Sequence, residues 1–135
     1  MIEKYLKEWL IKAQHDLQAA ENELNVSRGK VLTDIICFHA QQTIEKYLKA
    51  YLVSINIEFG KTHSLEYLRE LCKKEGLDFK GIEMGDLSYF AVEVRYPDDF
   101  YMPTQDEAEK SVKTAQDIKH LVLNKLGIDE KEIPE

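Results

Sequence analysis

The sequence predicts an all-α fold: an antiparallel helical bundle of about five helices with a four-helix, up-and-down-like core. Apolar residues recur at three- and four-residue steps over most of the 135 residues, the spacing that lines one face of an α-helix. Several of these runs have capping residues at one end and glycine or proline at the other. No stretch alternates apolar and polar residues as a half-buried strand does. Short connections between helices that must each bury one stripe favour a bundle.

The first helix carries Ile2, Tyr5, Leu6, Trp9, Leu10, Ala13, Leu17, Ala20 and Leu24 on one stripe, with Lys4, Lys7, Glu8, Lys12, Asp16 and Glu21 expected to face water. Arg28-Gly29 ends it. Thr33 or Asp34 can cap the second helix, which runs to about Ile55 and is apolar on more than one side, as a central element should be. Ser64 is placed to cap the third, with Glu66 at its positive end, Lys73 and Lys74 at its negative end, and Gly76 in the left-handed closing position. A fourth helix is expected from about Asp86, with Leu87, Phe90, Ala91 and Val94 on one face; Pro97 disfavours helical geometry at Tyr96 and stops it near Arg95. Thr104 and Glu107 have capping-box spacing and open the last helix, which carries Ala108, Val112, Ala115, Ile118, Val122 and Leu126. Residues 1–127 thus form one helical domain, and the charged tail 128–135 is expected to fray.

With 44% hydrophobic and 32% charged residues the chain suits a folded domain. No apolar run reaches the roughly 20 residues needed to cross a bilayer, and the charged start does not resemble a signal peptide, so no membrane contact and a cytoplasmic location are expected. Cys37 and Cys72 lie far apart without CxxC spacing and read as reduced thiols. The net charge of −7 argues against a broad grip on a nucleic-acid backbone, so any phosphate site must be local.

No metal or other cofactor is expected. A di-iron bundle needs inward glutamates and Glu-x-x-His pairs, and none occurs; Asp117 before His120 is an isolated pair, read as solvent-facing. There is no glycine-rich phosphate loop, nucleophile elbow or zinc-spaced Cys/His cluster. A polar stripe remains on the second helix, where His39, Gln42, Lys46 and Lys49 follow at three, four and three residues and could meet an anion. Alternatively, the lysines solvate the bundle and Glu45 pairs with Lys49 on its surface. His39 also reads as a hydrogen-bonded core residue, and His63 as one that fixes the entry to the third helix. Arg95 has two readings as well: a cation at a negative helix end, neutralised by Asp98 or Asp99, or a guanidinium offered to phosphate beside Tyr96 or Tyr101, which could stack on a base.

"DLQAAENEL", "CFHAQQTIEKYLKAYL", "HSLEYLREL" and "RYPDDF" follow one another in the order and spacing of the HEPN domain, which the chain resembles from Ile2 to Leu126. The resemblance implies a compact helical bundle, commonly a homodimer, that binds nucleotide or RNA. It also implies a separately encoded nucleotidyltransferase partner in a toxin-antitoxin-like pair. On this basis Arg95, Tyr96, Tyr101, His63, His39, Gln42 and Lys46 are the candidate nucleotide- or phosphate-binding residues. Many HEPN proteins are metal-independent ribonucleases with an R-x(4-6)-H motif, whose arginine grips phosphate while the histidine moves a proton. Arg95 matches that arginine, but Phe100, Tyr101 and Met102 stand where the histidine should fall. Binding is therefore expected rather than catalysis, the alternatives being a ribonuclease toxin with an incomplete motif or a non-catalytic protein-interaction adaptor.

Overall fold

A computed structural model of the chain describes residues 2–26, 30–84 and 102–135. Among these residues there are four α-helices, α1 (Lys4–Leu24), α2 (Thr33–Ser54), α3 (Leu65–Lys74) and α4 (Gln105–Leu126), followed by a short 3-10 turn, Glu130–Glu132, and no strand. The expected helix from Asp86 to Arg95 lies outside the described residues.

Local chemistry sets the helix ends. Ser64 Oγ accepts the Tyr67 N–H at 3.2 Å, and α3 closes with Gly76 at φ +102° while the Leu77 N–H reaches the Cys72 carbonyl at 3.0 Å. Glycine is required there because a side chain at that φ would strain the backbone. Thr104 Oγ1 accepts the Glu107 N–H at 3.1 Å, and the Glu107 carboxylate accepts the Thr104 N–H at 2.9 Å, completing the capping box. The start of α2 differs from expectation. Its N-cap is Leu32, without a side-chain bond, and Thr33 lies inside the helix. The Thr33 hydroxyl instead donates to the Pro103 carbonyl at 2.6 Å, so a tertiary partner has taken the group expected to cap.

Helix α2 is the central element, with Ile36, Cys37, Ala40, Ile44, Tyr47, Leu48, Ala50 and Leu52 fully buried. It packs against α1, α3 and α4, so most of its apolar residues are covered within one chain, Ile35 being an exception. Contacts from Trp9 to Lys49 at one end and Glu23 to Leu32 at the other make α1 and α2 an antiparallel pair. Thr33 beside Pro103 and Cys37 beside Ser111 show that α4 lies along α2 in the same sense. Both cysteines are free and buried; burial raises the Cys37 thiol and pushes Cys72 up to about 12.

The tail is not frayed as expected. Ile133 is 4% exposed and belongs to the core, Ile128 packs against that core, and Lys119 on α4 donates to Glu130. An apolar residue at 133 anchors the segment that its charged neighbours suggested would be loose.

Candidate functional site

Two clusters of the same composition form at neighbouring positions on α2, each a carboxylate holding one histidine and one lysine. In the first, His39 and Lys46 stand two helical turns apart, and Asp16 of the facing α1 inserts its carboxylate between them. His39 Nδ1 lies 2.8 Å from Asp16 Oδ1, and Lys46 Nζ donates to Oδ2. Anchoring Nδ1 on the carboxylate turns His39 Nε2 away from Asp16. The Phe38 ring meets the imidazole edge-on at 5.4 Å. Asp16 was expected to face water, but its side chain is 13% exposed. Its neighbours at i−3 and i+4 are Ala13 and Ala20, both fully buried, and their small side chains let α2 approach closely enough for the carboxylate to be enclosed. That flanking pair of alanines was the available sequence signal.

In the second cluster Lys49 Nζ donates to Glu45 Oε2 at 3.0 Å, and His63 Nδ1 lies 3.2 Å from Oε1 and 3.1 Å from Oε2. The Lys49 ammonium stands 5.4 Å from the ring centres of both Trp9 and Phe59. The side chains of Glu45 and Lys49 are each 6% exposed, so this is a buried ion pair and not the surface pair expected from its spacing. Residues i and i+4 meet on any helix face, and the spacing alone does not reveal whether a neighbouring element covers that face. Here α1 and the segment carrying Phe59 cover it.

The predicted stripe is therefore divided. His39 and Lys46 come together on Asp16, whereas Lys49 joins Glu45 and His63; six residues separate His39 from Glu45, about 120° around α2 and about 9 Å along it. Gln42 is half-buried on the same helix, and among the described residues no hydrogen bond joins it to either cluster. Asp16, Glu45 and Trp9 were not among the candidates; Asp16 and Trp9 are brought in by tertiary contact from α1, whereas Glu45 joins through its local pairing with Lys49 and its contact with His63.

Arg95, Tyr96 and Tyr101 lie outside the described residues, as do both readings of Arg95. The residues flanking 85–101 are tied to the bundle: Thr114 Oγ1 donates to the Glu83 carbonyl at 3.0 Å, and Thr33 holds Pro103. Asp117 accepts from Lys113 at 2.7 and 2.9 Å and His120 is exposed; both line a cavity of about 840 Å³ beside the tail. Among the described residues no group of three or more His, Cys, Asp or Glu could hold a metal ion, and no helix is long and apolar enough to cross a membrane.

Neither the curated proteins nor the solved structures include a match to this chain. The sequence model of the HEPN domain matches residues 6–126, a span that takes in all four helices but the first residues of α1 and includes both clusters. The chain belongs to the HEPN domain family.

Proposed function

We propose that this HEPN domain binds nucleotide or RNA phosphate and works as a homodimer with a separately encoded nucleotidyltransferase in a toxin-antitoxin-like pair. The observation that carries this reading is the family match over residues 6–126, which spans every candidate: His39, Gln42, Lys46, His63, Arg95, Tyr96 and Tyr101. The acidic balance of the chain supports a confined phosphate site over a broad nucleic-acid face. Titrating ATP and a short RNA against the natural chain and Arg95→Ala tests it. The variant is expected to lose about 1.5–3 kcal/mol of affinity, the contribution of a charge-assisted hydrogen bond, with little change in Tm. Arg95→Lys should restore only part, because lysine lacks the two-pronged fork. Unchanged affinity with a lowered Tm would assign Arg95 to helix capping instead. RNA incubated with the protein in chelator should stay intact, as the missing histidine implies; cleavage that disappears in Arg95→Ala would establish the ribonuclease alternative.

Four large apolar side chains, Val26, Leu32, Ile35 and Met102, are exposed at the end of the bundle where Thr33 meets Pro103. The rest of α2 packs against α1, α3 and α4, so this patch, which includes Leu32 and Ile35 at the start of α2, supports a two-fold contact better than the helix's buried faces do. The natural chain is expected to scatter light as a dimer at tens of micromolar concentration, and Leu32→Glu/Ile35→Glu as a monomer. A monomeric natural chain would end the dimer reading.

A further inference from the structure

We infer that His63 contacts the ligand phosphate directly and that Glu45 is its positioning residue, fixed in turn by the buried Lys49. This rests on the nucleotide- or RNA-binding reading above and adds a contact that is independent of Arg95.

Burying a carboxylate and an ammonium costs several kcal/mol per ion before their attraction is counted. The same pair on a helix surface would cost almost nothing, so the enclosure of Glu45 and Lys49 calls for a reason. Lys49 donates to Oε2, at 3.0 Å, and its ammonium stands against both rings of the Trp9–Phe59 edge-to-face pair. The carboxylate is thus neutralised and immobile, and His63 Nδ1 lies within 3.2 Å of both its oxygens. His63 itself is 74% exposed, so packing does little to hold its ring and the carboxylate does.

The two imidazole nitrogens lie on different edges of the ring, so anchoring Nδ1 turns Nε2 away from Glu45. In its doubly protonated form the ring donates Nδ1–H to Glu45 and Nε2–H to a phosphate oxygen. The charges of Glu45 and Lys49 cancel, so an approaching phosphate meets the imidazole ring without a net negative background from this pair. His63 also immediately precedes Ser64, the N-cap of α3, where the positive end of the helix dipole adds a favourable field and Glu66 in the first turn partly opposes it. A purely structural His63 would do no more than satisfy the Glu45 carboxylate.

The chain's single tryptophan, Trp9, sits against Lys49, so its fluorescence reports on this cluster. ATP, a short RNA and inorganic phosphate are titrated separately against the natural chain, His63→Ala and Glu45→Leu/Lys49→Met. The double variant replaces both buried charges with apolar groups, so the core is left without an unpaired ion while His63 keeps its ring and loses its anchor. Both variants are expected to weaken ATP or RNA binding about ten- to a hundredfold, the equivalent of one charge-assisted hydrogen bond, with His63→Ala melting close to the natural chain. A loss confined to RNA assigns the site to a phosphodiester; a loss shared by ATP and inorganic phosphate assigns it to a terminal phosphate. Unchanged affinity in either variant, with the natural chain binding normally, overturns this inference and leaves the proposed function standing. No binding of any of the three ligands to the natural chain overturns both.

Discussion

Lys49→Ala is expected to destabilise the fold by about 3–5 kcal/mol, a fall in Tm of roughly 10–20 °C for a chain of this length. Two losses combine. Removing the ammonium leaves the Glu45 carboxylate, 6% exposed, with only His63 to oppose it, and a buried charge without its partner is among the costliest defects a core can hold. The contact of the lysine with Trp9 and Phe59, whose rings meet edge to face at 6.0 Å, is lost as well, leaving a void beside the aromatic pair. Lys110→Ala is the control. Lys110 pairs with Asp106 at 3.1 Å with the same i, i+4 spacing, but both side chains are more than 70% exposed, and its removal should shift Tm very little. Glu45→Leu/Lys49→Met should recover most of the stability lost in Lys49→Ala, since a buried pair exchanged for apolar side chains of similar size is often neutral. Equal shifts for the Lys49 and Lys110 variants in a thermal melt would show that the pair is solvated after all.

The contrast between those two lysines marks how far the sequence can be read. Helix ends were legible at Ser64, Gly76 and the Thr104/Glu107 box, where the bonds are local and spacing brings those groups together; the Glu3 cap on the Leu6 N–H is equally local but carries a residue type that does not signal a cap. The central position of α2 was legible from its apolar residues on several sides. The environment of a charged side chain was not. Glu45–Lys49 and Asp106–Lys110 have the same spacing, and only the elements laid over the first make it a core feature. Asp16 and Thr33 failed for the same reason: each was assigned the role its own helix offers, solvent for one and a cap for the other. Each found its partner 23 or more residues away, in His39 and Pro103. The candidate site was legible as a set of residue types on α2 and at the entry to α3. Its division into two carboxylate-centred clusters depends on α1, whose register against α2 no local pattern specifies.

Ile133→Ala is expected to cost about 2–4 kcal/mol, an effect that a frayed tail would not show. Ile133 is 4% exposed and joins the main core, and Ile128 packs beside it, so the last eight residues close one end of the bundle with two apolar side chains. The ion pair between Lys119 and Glu130 crosses the same junction, but Glu130 is 55% exposed, and a pair so open to water contributes under about 1 kcal/mol. Burial of Ile133 is worth about 1.5–3 kcal/mol by transfer alone, so the plug and not the salt bridge should hold the tail down. The free energy of docking sets the upper limit on the loss, because a tail that binds too weakly can release and leave the rest of the bundle folded. Glu130→Ala should therefore lower Tm by no more than a few degrees, and Ile133→Ala by several times as much. Limited proteolysis distinguishes the two in a second way: the Ile133 variant should be trimmed back toward Gly127 under conditions in which the natural chain and Glu130→Ala stay whole. Equal trimming of all three, or a Glu130→Ala loss as large as that of Ile133→Ala, would mean that charge and not apolar burial secures the end of the chain.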